Sequence, residues 1–466
     1  MKKLIRILYF ILFSCCVSAQ TNIFQSNLDA PFSDLVMSDT EDSRYLGVKT
    51  RLFGLSSFNK DNQVDYSYLI GLSFNTNLTS KLNLIAFYDY LDGNCNLVIK
   101  NYQDSLGIYY PGFGLRNNRF QFNAKYLANK FITIDLGYGK QFIGDGYQSL
   151  LLSDVSSSYP FLKLSTEFGP IKYYNLYTTF INPNMVNYGR KKHATLHYLD
   201  FAITQRIHLG IFESILWQSK SEVVNKGYEL AYLNPVIFYR PVEFSKQSSK
   251  GNALMGVDFN IKFSCLTFYS QFMLDDLNIS RQKDQDENYS GGFFQNKYGY
   301  QLGLKGQIRA LKYLLEYNQV QPYTYGHRTI LQNYSHMNQA LAHPLGANFK
   351  ELINTLEIKQ GKWTYKIKTM FACVGLDSLD THYGQNIFES DLEASNGGQY
   401  SYGNFNGQGV RTAIFSLQPE ISFKLRWFDV FGLVYYRTKR SDLLDQNFLF
   451  FSVGLRTFPF SSFPDY

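Results

Sequence analysis

The chain has 466 residues, with 45 basic and 38 acidic side chains, and its formal charge of +7 is spread along the whole length. That distribution excludes a nucleic-acid footprint, which requires basic residues gathered on one face. Aromatic residues make up 17 % of the chain, mean hydropathy is −0.23, and no stretch after the first twenty residues is long and apolar enough for a membrane helix.

Residues 1–19 read as a signal peptide. Lys2, Lys3 and Arg6 form a basic start, the apolar run Ile7 to Phe13 follows, and Val17-Ser18-Ala19 supplies small residues before a cleavage point at Gln20. The apolar run is too short to span a bilayer comfortably. Cys15 and Cys16 follow Phe13 and Ser14, a poor context for lipidation. Cleavage removes three basic residues, which lowers the net charge to about +4 and makes the mature chain an exported one. Cys95, Cys265 and Cys373 then remain, far apart and odd in number, which is neither a disulfide framework nor a metal pattern.

Residues 20–44 are polar and irregular and are read as a short N-terminal segment. From residue 45 to 466 one motif dominates. In "ITIDLGYG", residues 132–139, Ile132, Ile134, Leu136 and Tyr138 fall on one side of a strand, and Thr133, Asp135, Gly137 and Gly139 on the other. The same alternation recurs in "DYSYLIGLSF" (65–74), "LNLIAFYDY" (82–90), "RFQFNAKYL" (119–127), "LMGVDFNIKF" (254–263), "WTYKIKTMF" (363–371) and "FFSVGL" (450–455). Very short polar turns join these strands in pairs, as at 128–130, 204–206, 264–265 and 360–362. Much longer segments separate the pairs, as at 92–118, 141–158, 218–251, 321–350 and 374–409. Short turns at one end and long loops at the other are the asymmetry of a transmembrane β-barrel. The expected fold is all-β, a single antiparallel barrel of about 18 strands, with 16 as the lower count. Long outer loops partly fill its lumen. The apolar rows face lipid, and Tyr88, Tyr90 and Tyr138 suit an aromatic girdle. A soluble β-sandwich is the rival, but it has no reason to gather its long connections at one end.

Three loop stretches break the alternation: residues 139–164, 227–259 and 316–349. The segments "GKQ…GDGYQSLLLSD……PFLKL", "HYLDFAITQRIHLGIFES" and "NPVIFYRPVEFS….GNALMGVDF" resemble the Wzi-type capsule-assembly outer-membrane family. "QPYTYGHR….NYSHMNQALAHPLGANF" is similar to its relatives in gliding bacteria, the RemB-like gliding-motility proteins. The resemblance covers most of the mature chain. It implies an 18-stranded barrel with an occluded lumen, placed in the outer membrane, that fixes capsular polysaccharide in a lectin-like way. The short N-terminal segment departs from members with a helical periplasmic piece.

The resulting expectation is a non-enzymatic surface protein whose partners are membrane lipid and either surface polysaccharide or the surface adhesin machinery. A gliding-motility component is the alternative, and a porin or substrate channel the further one. Flat rings and hydrogen-bonding groups suited to sugars occur at Tyr323, Tyr325, His327, Arg328 and Asn333, and at Arg240 and Glu243. The competing reading of Tyr239, Arg240 and Glu243 is a structural network that plugs the lumen. No G-x-S-x-G is present, and His327, His336 and His343 match no zinc spacing, so these histidines are read as hydrogen-bonding within a packed loop. The acidic run holding Asp377, Asp380, Glu389, Asp391 and Glu393 does not follow an EF-hand and is read as a solvated loop. No catalytic residue, no cofactor and no metal site is expected.

Overall fold

The computed structural model describes residues 46–466 except 59–63, 96–98, 103–117, 185–189, 221–226, 229, 235–250, 278–295, 379–380, 392–402, 444, 461–464 and 466. The signal peptide, the segment 20–44, Arg240 and Glu243 lie outside the described residues.

Eighteen strands build the wall. They are β1 (Leu46–Phe58), β2 (Val64–Thr79), β3 (Leu82–Asn94), β4 (Asn118–Leu127), β5 (Ile132–Gly139), β6 (Tyr159–Phe168), β7 (Ile171–Ile181), β8 (Lys191–Ala202), β9 (Ile207–Gln218), β10 (Asn252–Lys262), β11 (Leu266–Asp276), β12 (Lys297–Ile308) and β13 (Leu311–Val320). After a short internal ladder of β14 (Ser335–His336) and β15 (Gln339–Ala340), the wall continues with β16 (Phe349–Gln360), β17 (Trp363–Leu376), β18 (Val410–Lys424), β19 (Asp429–Arg440) and β20 (Asp445–Arg456). Each wall strand pairs antiparallel with its neighbours, and β1 pairs with both β2 and β20, with Phe53 opposite Arg456 and Phe58 opposite Phe451 at the seam. The sheet is therefore closed. Closure is what hydrocarbon demands, because a free strand edge would leave N–H and C=O groups with neither water nor protein to bond.

The side-chain rows follow the sequence alternation. On β5, Leu136 is exposed while Asp135 is buried beside Asn123 at 3.3 Å and Lys163 at 3.8 Å. On β2, Ile70 and Leu72 face outward and Ser67 and Ser73 inward. Tyr88 and Tyr90 are exposed on the outer surface, as expected of girdle residues. Eight turns of two to four residues, at 80–81, 128–131, 169–170, 203–206, 263–265, 309–310, 361–362 and 425–428, close one end. The long connections 140–158, 219–251, 321–348 and 377–409 lie at the other. Two connections at that end, 59–63 and 441–444, are short, and both flank the seam.

Leu136→Arg is expected to cost about 2–4 kcal/mol, because it places a charge on the lipid face near mid-strand. Thr133→Arg should cost much less. Thr133 lines a cavity at the turn end together with Asn77, Lys81, Asn83 and Lys125, where a long side chain can reach water. Folding titrations into lipid vesicles measure both, and equal costs would contradict the assigned faces.

Candidate functional site

The lumen is the natural place to look for function, and the long loops fill it. Segment 140–158 leaves β5 and crosses to the opposite wall. "Gly144-Asp145-Gly146" makes this crossing possible. Gly144 has a φ of +137°, and a Cβ on Gly146 would sit 2.4 Å from the Glu316 carboxylate. Beyond that turn the backbone amides of Tyr147 and Gln148 donate to the two oxygens of Glu316, at 2.6 and 3.0 Å. Tyr269 Oη and Asn318 Nδ2 donate to the same carboxylate, at 2.8 and 2.9 Å. Asn260 on β10 and Lys305 on β12 hold Asp145, and Gln271 on β11 accepts from the Leu150 amide at 2.9 Å. Each partner sits on the inward row of its strand, so the polar face read from the sequence serves as a set of docking groups for loop backbone.

The run Leu150-Leu151-Leu152 then lies wholly buried inside the barrel. It packs with Tyr159, Phe180, Phe212, Leu254, Met273 and Phe349 into one internal core. The second loop, 321–348, covers it. Tyr325 Oη donates to the Leu150 carbonyl and Tyr334 Oη to the Leu151 carbonyl, both at 2.7 Å, and the two rings stack at 5.8 Å. Lys192 Nζ, buried on β8, donates to the Asn333 carbonyl and side chain at 2.6 Å and to Ser335 at 3.0 Å. The third loop, 377–409, lies over the second, with Asn348 Nδ2 donating to the carbonyls of Tyr383 and Gln408. After β20 the chain also turns inward. Phe458 lies under Arg51 at 3.8 Å, Phe460 packs on Phe53, and Asp465 pairs with Lys368 and accepts from Tyr147 Oη at 2.6 Å. Burial alone would raise the Asp465 carboxyl, yet the Lys368 cation and the Tyr147 hydroxyl hold it below the ordinary carboxylate range.

The predicted site residues separate on this plug. Tyr325 and Tyr323 are 0 % and 2 % exposed, and Asn333 is fully buried. Tyr323 Oη donates to the His382 carbonyl at 2.9 Å, and both tyrosines sit at positive φ, 65° and 69°. Left-handed backbone at bulky residues costs about 1–3 kcal/mol each and persists only where the surroundings fix it. These rings therefore hold the plug and offer no face to an external polymer. His327 is half-buried and Arg328 exposed, at the outer side of the same loop. Within the acidic stretch Asp391 departs from the solvated reading, being 6 % exposed and paired with buried Lys297 at 2.6 Å, while Asp380 and Glu393 lie outside the described residues.

The histidines are hydrogen-bonded, but His336 and His343 reach partners outside their own loop. The Ile181 amide donates to His336 Nδ1 at 3.0 Å, which leaves the proton on Nε2, facing the Ser158 carbonyl at 3.2 Å. Burial pushes His336 down to about 3 and His327 down to about 4. The Leu345 amide likewise donates to His343 Nδ1, so Nε2–H meets Glu351 at 2.8 Å. Sequence reading missed one group. At the outer end of β7–β9, Tyr228 is 47 % exposed, lies 3.9 Å from the His193 ring, and shares a 2.6 Å hydrogen bond with Thr179. Trp217 and Tyr232 lie beneath it. Its signal, one of three tyrosines in a long loop, did not mark it out from Tyr232 and Tyr239.

Two outcomes follow for the plug. Glu316→Ala removes the acceptor of two buried amides and a tyrosine hydroxyl, and should destabilise by on the order of 3 kcal/mol or more. Urea unfolding in detergent reads the loss, and protease should reach 140–158. His336 has a folded pKa of about 3 against an ordinary 6.5. Its contribution is therefore complete above about pH 6.5 and falls away as the pH drops toward 3. His336→Gln should flatten that part of the stability–pH curve.

No family model matches the chain, and no curated protein matches it. Solved structures of similar chain course include three outer-membrane proteins of Pseudomonas aeruginosa. OprD is 11 % identical and covers 91 % of this chain and 100 % of its own, with a TM-score of 0.46. OccK3 (OpdO) is 10 % identical, covers 93 % and 99 %, and has a TM-score of 0.45. OccK1 (OpdK) is 9 % identical, covers 88 % and 98 %, and has a TM-score of 0.46. At these values the likeness carries nothing about function. The closed sheet, its lipid-facing apolar rows and its end asymmetry make this chain an outer-membrane β-barrel protein, and the described loop segments enter its lumen.

Proposed function

We propose that this protein is a non-enzymatic attachment barrel, which holds capsular or other exopolysaccharide at the cell surface. The observation that supports this reading is the plug that occupies the β5–β16 side of the lumen among the described residues. Segment 140–158 crosses it on hydrogen bonds to Asn260, Gln271, Lys305 and Glu316, and segment 321–348 locks the crossing from above. A barrel filled in this way devotes its outer surface to binding. The motif resemblance to Wzi-type and RemB-like proteins points the same way, and a gliding role fits one barrel acting on exported polymer or adhesin.

Glycan contact then falls on groups that the plug leaves open. Tyr228 offers an exposed ring at the outer rim, while His327 and Arg328 occupy the outer side of the second loop. A partly exposed aromatic ring beside hydrogen-bonding groups suits a sugar face.

A channel for anionic solutes is the second reading, and a specific observation favours it. The inward row from β17 round to β4 carries Arg51, Arg119, Lys366, Lys368, Arg437 and Arg456, while the acids bonded to them are Asp89, Glu420 and Asp465. This half of the wall has an excess of positive charge.

Deletion of the gene should reduce cell-bound polysaccharide or colony spreading. A Tyr228→Ala/Arg328→Ala variant should do the same while keeping the faster migration of an unheated folded barrel. Single-channel recordings of the purified protein should show no steady conductance. Steady anion-selective conductance with normal polysaccharide retention would establish the channel reading instead.

A further inference from the structure

At the outer mouth, the loop that follows β17 brings together three side chains whose donor atoms converge away from the proposed glycan surface. We propose that Asp377, His382 and Glu389 bind a divalent transition-metal cation of the zinc class. His382 Nδ1 lies 3.2 Å from Asp377 Oδ2 and 3.6 Å from Glu389 Oε2, and the three donor atoms all fall within 4.8 Å of one another. A ring nitrogen carries at most one proton, so hydrogen bonding can answer only one of the two carboxylates that face it. A cation answers both. Bonds of about 2.0–2.2 Å in tetrahedral arrangement set neighbouring donors roughly 3.3–3.6 Å apart, which matches the two separations from Nδ1.

The charge and the donor types narrow the occupant. Two carboxylates and a neutral imidazole sum to −2, which a divalent ion balances. A nitrogen donor in a three-residue set favours zinc and its neighbours over calcium or magnesium, which gather six or more oxygens. Glu389 is the most exposed of the three, so a fourth position opens to solvent on its side.

The donors are also held before any ion arrives. His382 is 6 % exposed, and Tyr323 packs edge-on against its ring at 5.1 Å while donating to its carbonyl. Asp377 accepts from the amides of Tyr383 and Asn386, and Asn386 Nδ2 donates to Glu389 Oε1 at 2.9 Å. Such outer contacts orient ligands and commonly change metal affinity by about 10–100-fold. The same loop is tied to the plug through Gln385 Nε2 and the Leu345 carbonyl at 2.8 Å. A bound ion would therefore cross-link residues 377 and 389 and stiffen the roof of the lumen.

The test uses the folded mature protein in detergent, stripped with a chelator and titrated with Zn²⁺. One equivalent should bind, and His382→Ala and Glu389→Gln should each weaken binding by about 100-fold or more. Glu389→Gln keeps an acceptor for Asn386, and the heat-dependent gel shift confirms that both variants fold. Co²⁺ substitution should give a spectrum without a thiolate charge-transfer band, which separates this site from Cys95, Cys265 and Cys373. Zn²⁺ should also slow proteolysis within 377–409 in the wild type and not in the variants. Absence of saturable one-equivalent binding, unchanged affinity in both variants, a thiolate band, or binding of Ca²⁺ in place of Zn²⁺ would each overturn the proposal.

Discussion

The backbone amides and carbonyls of the wall and of the buried loop segments must find partners without help from bulk water, and that constraint acts twice. In the wall it acts through hydrocarbon, where an open strand edge cannot survive, and the seam between β1 and β20 satisfies it by closing the sheet. In the lumen it acts through burial. The loops that enter the barrel carry irregular backbone into a space where little water remains, so the wall must supply the missing donors and acceptors. Glu316 shows how this is done. One carboxylate on β13 receives two consecutive loop amides, a tyrosine hydroxyl and an asparagine side chain.

The inner face therefore has a different task from the inner face of an open pore. An open pore hydrates its polar row. Here much of that row is spent on the loop: Gln271, Gln301, Lys305 and Glu316 bond to backbone groups of segment 140–148, and Asn260 to the Asp145 side chain. Once these bonds are made, the three leucines at 150–152 can pack against aromatic rings in the middle of a membrane protein. The hydroxyls of Tyr325 and Tyr334 cap the leucine carbonyls, so the internal core is apolar in side chain and satisfied in backbone. The left-handed backbone at Tyr323 and Tyr325 is the local cost of aiming those rings.

The two halves of the lumen differ in charge. The half from β5 to β16 is occupied by the plug, where Lys305 pairs with Asp145 and Lys297 with Asp391, while Glu316 and Lys192 are answered by neutral hydrogen-bonding groups. The half from β17 to β4 is richer in Arg and Lys, and there the inward-turned residues after β20 cover part of the wall through Phe458, Phe460 and Asp465. Attachment and conduction differ in which half matters. Attachment uses the rim above the plug, and conduction would need the basic half to open.

The strands were legible from residue 46 onward, because period-two alternation is a local property and hydrocarbon enforces it on every strand in the same way. Strand number, face assignment, the tight turns and the long outer loops all follow from that pattern. That no stretch after the first twenty residues is long and apolar enough for a membrane helix needed no structure either. The fate of the loops was not legible. Tyr323 and Tyr325 carry the composition of a sugar-binding surface, and only the tertiary structure places them under Asp275, Leu150 and His382 with no free face. Asp391 reads as one more acid in a polar run until Lys297, 94 residues away, is brought beside it. Glu316 and Tyr147 are separated by 169 residues, and His382 meets two carboxylates only after the loop folds over itself. Alternation records which side of a wall a residue faces. It holds no information about which distant residue meets it across the lumen, and that pairing decided the plug and the candidate sites.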